Sequence, residues 1–317
     1  MGVFAITGIR QISIYMVFRS YFTYASLVFI PYATFLILQY GKGLNDKLIK
    51  LCIWIWFGVG FIQKYINSSF GYGLLSRHST NQTRGVVGLA TEPSAYGYMC
   101  VFMILLAINL RKHALFYVGM LLVQILFFAG SSVTIIYLGV YAVAFIINEL
   151  CMRKKYTFVK ILLLAGCAGA GIYYVRNYVS KGTRIRILVD YLFENPERFL
   201  EDGSIKRRIL AITDTFGSFI EHHGMPQGLS DYKWMSGIGC MLVEGGLLSV
   251  IILVVIAMIV WRGYPRQFRI FYTLGFMVMM VSAIPFSSPI VGFYIGYCAY
   301  QGWLREQEKK NESIMDM

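Results

Sequence analysis

The chain has 317 residues, of which 57% are hydrophobic and 14% are charged, and its formal net charge is +13 at pH 7. Soluble domains carry about one quarter charged residues, so this composition excludes an ordinary water-soluble globule. The basic residues stand in short clusters between apolar runs, which favours membrane topology and anionic lipid over nucleic acid as their explanation. We therefore expect an all-α polytopic membrane protein that forms a single membrane domain over residues 1–317.

Apolar runs that are long enough to cross a hydrocarbon core as a helix, about 20 residues each, recur along the chain. They predict nine spans, at residues 20–40, 48–66, 94–110, 114–129, 131–150, 157–175, 236–261, 268–283 and 289–303. Residues 3–19 carry Arg10 and predict either a tenth span or a segment that lies at the interface or packs against protein. The chain start has no signal-peptide cleavage pattern, which predicts retained membrane structure.

The short loops predict an orientation. Basic residues cluster at 42–47, 111–112, 153–155, 262–269 and 305–310, on one side of the membrane if every span crosses once. The positive-inside rule assigns that side to the cytoplasm. The loop 67–93 and the longer segment 176–235 then face outward, and the second is predicted to be a large extracytoplasmic loop that folds as a small helical cap.

Several familiar kinds of site are absent from the sequence. It contains no phosphate-binding loop, no complete dinucleotide fingerprint, no His-Glu-x-x-His and no Asp-x-Asp pair. The six cysteines form no Cys-x-x-Cys pair and are interpreted as small hydrophobic residues. We therefore expect neither a metal nor a cofactor.

Arginines stand in both predicted outer segments. A guanidinium group is permanently charged, and its planar fork of donors matches phosphate oxygens. A diphosphate is therefore the predicted ligand, with free amides at the start of the helix beyond Pro93 adding to anion affinity. The predicted diphosphate-binding residues are Arg84, Arg184, Arg207 and Arg208.

The stretch "TEPS" allows two interpretations. It could be a plain helix start, in which Thr91 caps, Glu92 lies at the positive end of the dipole and Pro93 opens the first turn. Alternatively, Glu92 has a functional role, because a carboxylate near arginines at a membrane edge is costly unless it is paired or used.

The segment that contains Arg207 and Arg208 is similarly open. Ser204 is predicted to cap a helix that starts near Ile205, so both arginines would oppose the helix dipole, which indicates an anionic partner. The alternative is a solvated amphipathic helix whose apolar residues, Ile209, Leu210, Ile212 and Phe216, are packed down.

Two further features remain undecided from sequence. His222 and His223 could supply a general base near neutral pH or be ordinary surface residues. Glu244, inside the span 236–261, could hydrogen-bond within the packing or line a cavity.

At this point the sequence resembles the Wzy-type polysaccharide (O-antigen) polymerases, which are relatives of the O-antigen ligases. "TRGVVGLATEPSAYG" resembles the family's Arg-x-x-Gly followed by Glu-Pro-Ser at a span entrance, and "FFAGSSVTIIYLGVY" resembles its Ser-rich opening of a later span. The stretch from "GTRIRILVDYLFENPERFLEDGSIKRRI" through "MPQGLSDY" to "LVEGGLLSV" resembles its large periplasmic loop and next helix. The likeness covers roughly residues 1–300, mostly as topology.

The chain departs from this family's pattern in two places. Family members usually have additional N-terminal spans. Where ligases carry a histidine, just before the span at 236, this chain has "YKWMSG", which favours a polymerase over a ligase.

The resemblance implies a GT-C-like bundle of about nine to ten transmembrane helices with one large extracytoplasmic loop. It also implies a metal-independent glycosyltransferase that joins oligosaccharide repeat units linked to undecaprenyl diphosphate, on the periplasmic face of a bacterial inner membrane. The expected partners are this lipid-linked substrate, membrane lipids, and a chain-length regulator and a flippase of the same pathway.

The expected catalytic residues are Glu92, Arg84, Arg208 and His222. Arg84, Arg184 and Arg208 would hold the departing diphosphate, while Glu92 would orient or deprotonate the acceptor hydroxyl, with His222 as the second candidate. The alternatives are an O-antigen ligase-type glycan transferase, a transporter or flippase for a lipid-linked saccharide, and a nonenzymatic scaffold.

Overall fold

A computed structural model of the chain describes residues 14–41, 43–73, 85–152, 156–194, 196–201, 203–228, 237–282 and 284–315. Within these ranges the regular structure is helical, and none of it is a β-strand. The α-helices are α1 (Ile14–Tyr40), α2 (Asp46–Phe61), α3 (Pro93–Ala107), α4 (Ala114–Val123), α5 (Ser132–Met152), α6 (Thr157–Tyr178), α7 (Arg184–Glu194), α8 (Pro196–Glu201), α9 (Gly203–Glu221), α10 (Gly237–Arg262), α11 (Arg269–Met280) and α12 (Pro289–Met315).

Two π-helices continue two of the α-helices without a break. The first, π1 (Ile62–Ile66), follows α2, and the second, π2 (Gln124–Ala129), follows α4. A short 3₁₀-helix, Arg266–Phe268, precedes α11. π-helical turns are rare, and they occur frequently at functional sites.

Helices lie at the predicted spans, although α1 begins at Ile14, before residue 20, and α12 continues to Met315, past residue 303. Among the described residues, five helical stretches are long and apolar enough to cross a membrane: Ser20–Tyr40, Asp46–Ile66, Ser132–Met152, Thr157–Tyr178 and Gly237–Arg262. Pro93–Ala107 and Ala114–Ala129 are apolar but shorter. The chain is thus all-helical in its described part and compatible with a helical membrane protein, whereas the GT-C arrangement and the number of crossings stay predictions.

The chain divides into two compact units, residues 1–44 with 207–317, and residues 45–206. In the first unit α1 packs along α12. Two glycines of α12 permit close approach, because a Cβ at Gly292 would stand 2.7 Å from Ile30 and one at Gly296 would stand 2.7 Å from Thr34. Small residues at such contacts are typical of helix pairs in membranes.

Two arginines bind the C-terminal end of α10 in the same unit. Arg305 donates from Nη1 to the carbonyl of Arg262 and from Nη2 to that of Gly263, both at 2.8 Å. Arg269 donates from Nε to the carbonyl of Tyr264 at 3.1 Å. Burial lowers the pKa of the Arg305 guanidinium, and the charge of Arg269 lowers it further. These bonds satisfy the carbonyl of the last residue of α10 and those of the two residues after it.

The predicted outer segment 176–235 contains helices α7, α8 and α9, as expected for a helical cap, although its position relative to a membrane stays a prediction. Two arginines, Arg186 and Arg176, connect α7 to the end of α6. Arg186, only 9% exposed, donates to Asp190 at 2.8 Å and to the carbonyl of Val175 at 3.1 Å. Arg176 donates to Glu194 at 2.6 Å.

Candidate functional site

The segment 85–92, which carries the glutamate of "TEPS", lies against both π-helices of the second unit. The N–H of Val86 donates to the carbonyl of Phe128 in π2 at 2.8 Å. Gly85 stands so close to the carbonyl of Ala129 that a Cβ would overlap it, and its φ of 92° is one that glycine adopts readily. Residues 85–88 are all buried, so this part of the segment is a packed element.

Gln63 of π1 fastens the same segment from the other side. Its side chain is 3% exposed, and its Nε2 donates to the carbonyls of Gly88 and Phe70, both at 3.0 Å. In return, the N–H of Gly88 donates to Gln63 Oε1 at 2.7 Å. One buried amide therefore binds two stretches of chain, the residues after π1 and the residues before α3.

A second amide lies beneath the segment. The hydroxyl of Tyr96 donates to Gln124 Oε1 at 2.8 Å, and the Tyr96 ring stacks on Trp56 with centroids 5.4 Å apart. The position of Gly88 is close to this ring, since a Cβ there would lie 2.7 Å from it. Gln124 Nε2 is buried and has no hydrogen-bond partner among the described residues.

Glu92 occupies the N-cap position of α3, and Pro93 is the first helical residue, as predicted. The expectation that Thr91 caps this helix is wrong: helical dihedral angles begin at Pro93, so the residue directly before it takes the N-cap place. The Glu92 carboxylate accepts a hydrogen bond from the hydroxyl of Ser94 and is exposed to solvent. A negative charge thus already stands at the helix end whose amides were expected to attract a diphosphate.

The predicted arginines of this unit are described only in part. Arg84 lies outside the described residues. Arg184 is the first residue of α7. The neighbouring Arg186, which is not among the predicted site residues, forms an ion pair with Asp190.

Arg207 and Arg208 belong to α9, which begins at Gly203, before the predicted start near Ile205. The extra residues move both arginines into the second turn and place Ser204 inside the helix instead of at its cap. Arg207 is exposed, whereas Arg208 is half-buried and shares a helix face with Ala211 and Thr215.

The apolar face of α9 differs from the packed-down alternative. Three of the residues predicted to be packed down are exposed instead: Ile209 by 42%, Leu210 by 48% and Phe216 by 39%. The prediction is wrong for these three residues. The buried positions among the described side chains of α9 are Ile205 at 4%, Ala211 at 7% and Thr215 at 0%. The sequence predicted the wrong face of the helix for the interior, because the face that carries Ile205, Ala211 and Thr215 is the buried one.

His222 follows the end of α9 and is exposed, as is His223. His222 Nδ1 lies 2.9 Å from the carbonyl of Ser218. A carbonyl can only accept, so Nδ1 carries the proton in this contact, and in the neutral imidazole Nε2 is then the nitrogen with a lone pair. That tautomer is compatible with a proton acceptor, and it is equally the form of a surface histidine that caps a helix end.

Glu244 is the buried carboxylate of the first unit, at 6% exposure. Its Oε1 accepts from the hydroxyl of Ser20 at 2.8 Å and its Oε2 accepts from that of Tyr24 at 2.5 Å. Both donors belong to α1. Hydrogen bonding within the packing, one of the two interpretations from sequence, therefore describes this residue.

Helix α10 is interrupted two residues later, at Gly246, where φ is 57° and ψ is −141°. The chain from 224 to 227 fills the interruption: the N–H of Leu247 donates to the carbonyl of Gly224 at 3.0 Å, and the N–H of Gln227 donates to that of Val243 at 2.9 Å. Irregular backbone at membrane depth occurs where protein or a water-filled cavity surrounds it.

Sequence reasoning missed the two glutamines and the interruption, although each left a signal. Gln63 and Gln124 are single amides within the apolar runs "GVGFIQKYI" and "MLLVQILFF", and polar residues inside spans are often functional. The pair Gly245–Gly246 within an apolar run is a recognised mark of broken regular structure.

The structure describes Glu92 and Arg184 within one compact unit and Arg207, Arg208 and His222 within the other. Their convergence on one substrate stays a prediction. Comparisons of the chain with protein-family models, with curated proteins and with solved structures find no match. The resemblance to polysaccharide polymerases therefore rests on the motifs themselves.

Proposed function

We propose that this chain is a metal-independent membrane glycosyltransferase that polymerises oligosaccharide repeat units carried on undecaprenyl diphosphate, acting at the outer face of a bacterial plasma membrane. The order of the sequence motifs along the chain and the apolar helices support this assignment. The single observation that carries it is the setting of Glu92, an exposed carboxylate at the entrance of an apolar helix, at the end of a segment that is fastened to two π-helices.

In the proposed reaction Glu92 accepts the proton of an acceptor sugar hydroxyl. The hydroxyl oxygen attacks the anomeric carbon of the donor, the new glycosidic bond forms, and the bond to the diphosphate oxygen breaks with its electron pair leaving on the diphosphate. Arg84, Arg184, Arg207 and Arg208 are the proposed ligands of that leaving group. Each fixed positive donor of this kind contributes about 3 kcal/mol in the transition state.

The decisive experiment is elongation of purified lipid-linked repeat units by the reconstituted protein. Wild type should yield long polymer without added metal or nucleotide. Glu92→Gln should lower kcat by about 10²–10⁴-fold, the usual contribution of a general base. Glu308→Gln, which removes an exposed carboxylate near the C-terminus, is the matched control and should keep wild-type kcat. Full activity of Glu92→Gln would contradict the role given to Glu92.

One observation favours a second candidate, a transporter or flippase for a lipid-linked saccharide. Discontinuous helices with irregular backbone at membrane depth form the substrate and ion sites of many transporters, and α10 is interrupted at Gly246 beside the buried Glu244. The same proteoliposomes separate the candidates, because a polymerase elongates the glycan whereas a flippase moves unchanged lipid to the opposite leaflet.

A further inference from the structure

The neutral side chain of Gln63 makes three hydrogen bonds to backbone groups, and two of them join it to one residue, Gly88. Its Oε1 accepts from the N–H of Gly88 and its Nε2 donates to the carbonyl of the same residue, at 2.7 and 3.0 Å. Gripping both polar groups of Gly88 fixes the rotation of the adjoining peptides. The φ of Gly88 is 62°, a left-handed conformation that glycine adopts without strain.

The path from Gly88 to Glu92 is short and partly closed on itself. The N–H of Ala90 donates to the carbonyl of Val87 at 3.1 Å, which makes a turn. Glu92 then begins the cap of α3, with the N–H of Tyr96 donating to its carbonyl at 3.0 Å. The backbone of Glu92 is therefore held at one end by a helix and at the other by a turn that Gln63 anchors.

The π-helical turn directs the Gln63 side chain toward Gly88. A π turn contains an extra residue, which displaces the side chains around it by about 100° relative to an uninterrupted α-helix. The identity of the residue matters as well, because an amide both donates and accepts. A carboxylate at position 63 could accept from Gly88 but could not donate to the carbonyls of Gly88 and Phe70.

We propose that Gln63 is a positioning residue that holds the segment 85–92, and through it the Glu92 carboxylate, in the geometry for proton transfer. This inference rests on the proposed function of Glu92. Gln63 itself touches no reacting atom in this scheme, so its effect passes through Glu92.

Hydrogen exchange of the full-length protein in detergent micelles tests the geometric half of the proposal. Loss of a buried hydrogen-bond partner, as in Gln63→Leu, should accelerate exchange of the Gly88 amide by about tenfold or more, while amides of α3 keep their protection. Gln124→Leu is the matched control: it makes the same substitution at a buried glutamine of the other π-helix, and it should leave the Gly88 amide protected. Equal protection in wild type and Gln63→Leu would overturn the proposal.

Gln63→Glu provides a second variant in case Gln63→Leu does not fold. It keeps an acceptor for the Gly88 N–H and loses both donations, so exchange of residues 85–92 should lie between that of wild type and that expected on complete loss of the amide. Exchange at the wild-type rate in Gln63→Glu would contradict the proposal, because it would show that the two hydrogen bonds donated by Gln63 do not hold the segment 85–92.

Elongation kinetics of a double variant test the functional half. If Gln63 acts through Glu92, Gln63→Leu should lower kcat in the wild-type background and have no further effect in the Glu92→Gln background, because residues acting as a unit are non-additive. Additive losses would reduce Gln63 to a structural residue and overturn the proposal. If the wild-type protein elongates no repeat units, the polymerase assignment is refuted instead. The hydrogen-exchange result would still show whether Gln63 holds the segment 85–92.

Discussion

Gly246 and Gly224 meet where α10 is interrupted, and Gly246 has no room for a side chain. The carbonyl of Gly224 accepts from the N–H of Leu247 at 3.0 Å and would overlap a Cβ built on Gly246. That Cβ would also lie 2.8 Å from the nitrogen of Pro226. Both glycines have positive φ, 57° and 70°. The interruption thus depends on backbone-to-backbone contact.

Gly246→Ala should destabilise the protein. The combination of positive φ and ψ of −141° is sparsely populated by residues other than glycine and costs them about 1–3 kcal/mol, and displacement of the 224–227 chain adds to this. Gly166→Ala is the control, because Gly166 lies within α6 with open space around it, where alanine is favoured over glycine by about 0.5–1 kcal/mol. Thermal unfolding in detergent should show opposite signs for the two variants, and a Gly246→Ala protein as stable as wild type would contradict the described interruption.

Tyr24→Phe should lower the free energy of unfolding by about 1.5–3 kcal/mol, the usual contribution of a hydrogen bond to a charged group. The substitution removes the hydroxyl that donates to the buried carboxylate of Glu244. Tyr32→Phe on the same helix removes a hydroxyl from a side chain that is 62% exposed and should change little. Denaturant titration of the two variants measures the difference, and equal midpoints would show that the carboxylate does not need this donor.

Lys160→Met should destabilise the contact between α5 and α6. Lys160 Nζ lies 2.9 Å from Oε2 of Glu149, whose side chain is 1% exposed, so the substitution leaves a buried carboxylate without this charged partner. We expect a loss of about 1.5–3 kcal/mol. Lys181→Met, at an exposed lysine, serves as the control in the same unfolding assay. A Lys160→Met variant no less stable than the control would mean that the pair contributes nothing.

Arg208→Ala should abolish long polymer while single repeat units remain, if Arg208 binds the leaving diphosphate. The same outcome is predicted for Arg84→Ala. Arg266→Ala, an exposed arginine ahead of α11, removes the same charge from a cluster predicted to face the cytoplasm and should keep normal polymer. Gel electrophoresis of the products compares the three at matched protein levels. Normal polymer from both Arg208→Ala and Arg84→Ala would contradict the role given to these two arginines.

The positions of the helices were predictable because burial in an apolar environment selects residue type strongly over about 20 positions. The span predicted at 157–175 corresponds to the helix Thr157–Tyr178, and the span predicted at 236–261 corresponds to the helix Gly237–Arg262. The π-helical turns were not predictable in this way. One additional residue in a turn leaves the hydropathy of "FIQKYI" unchanged and alters only the direction of side chains such as Gln63.

The candidate site was predictable only as far as local chemistry extends. The helix start at Pro93 follows from the fixed φ of proline, and the prominence of Glu92 follows from its charge at the end of an apolar run. The partners of these residues come from distant parts of the chain, as when Gln63 bonds Gly88. The same limit explains the error at Ile209 and Phe216, since the face that a helix buries is set by what packs against it.

The bond between Tyr24 and Glu244 also constrains how the protein is made. The two residues are 220 positions apart, which at usual rates of translation corresponds to roughly 10 to 45 s of synthesis. During that interval α1 has left the ribosome, but neither the carboxylate that accepts its hydroxyls nor α12, along which it packs, has been made. Residues 45–206 form a contiguous unit that can assemble meanwhile, so the unit built from both ends of the chain is completed last.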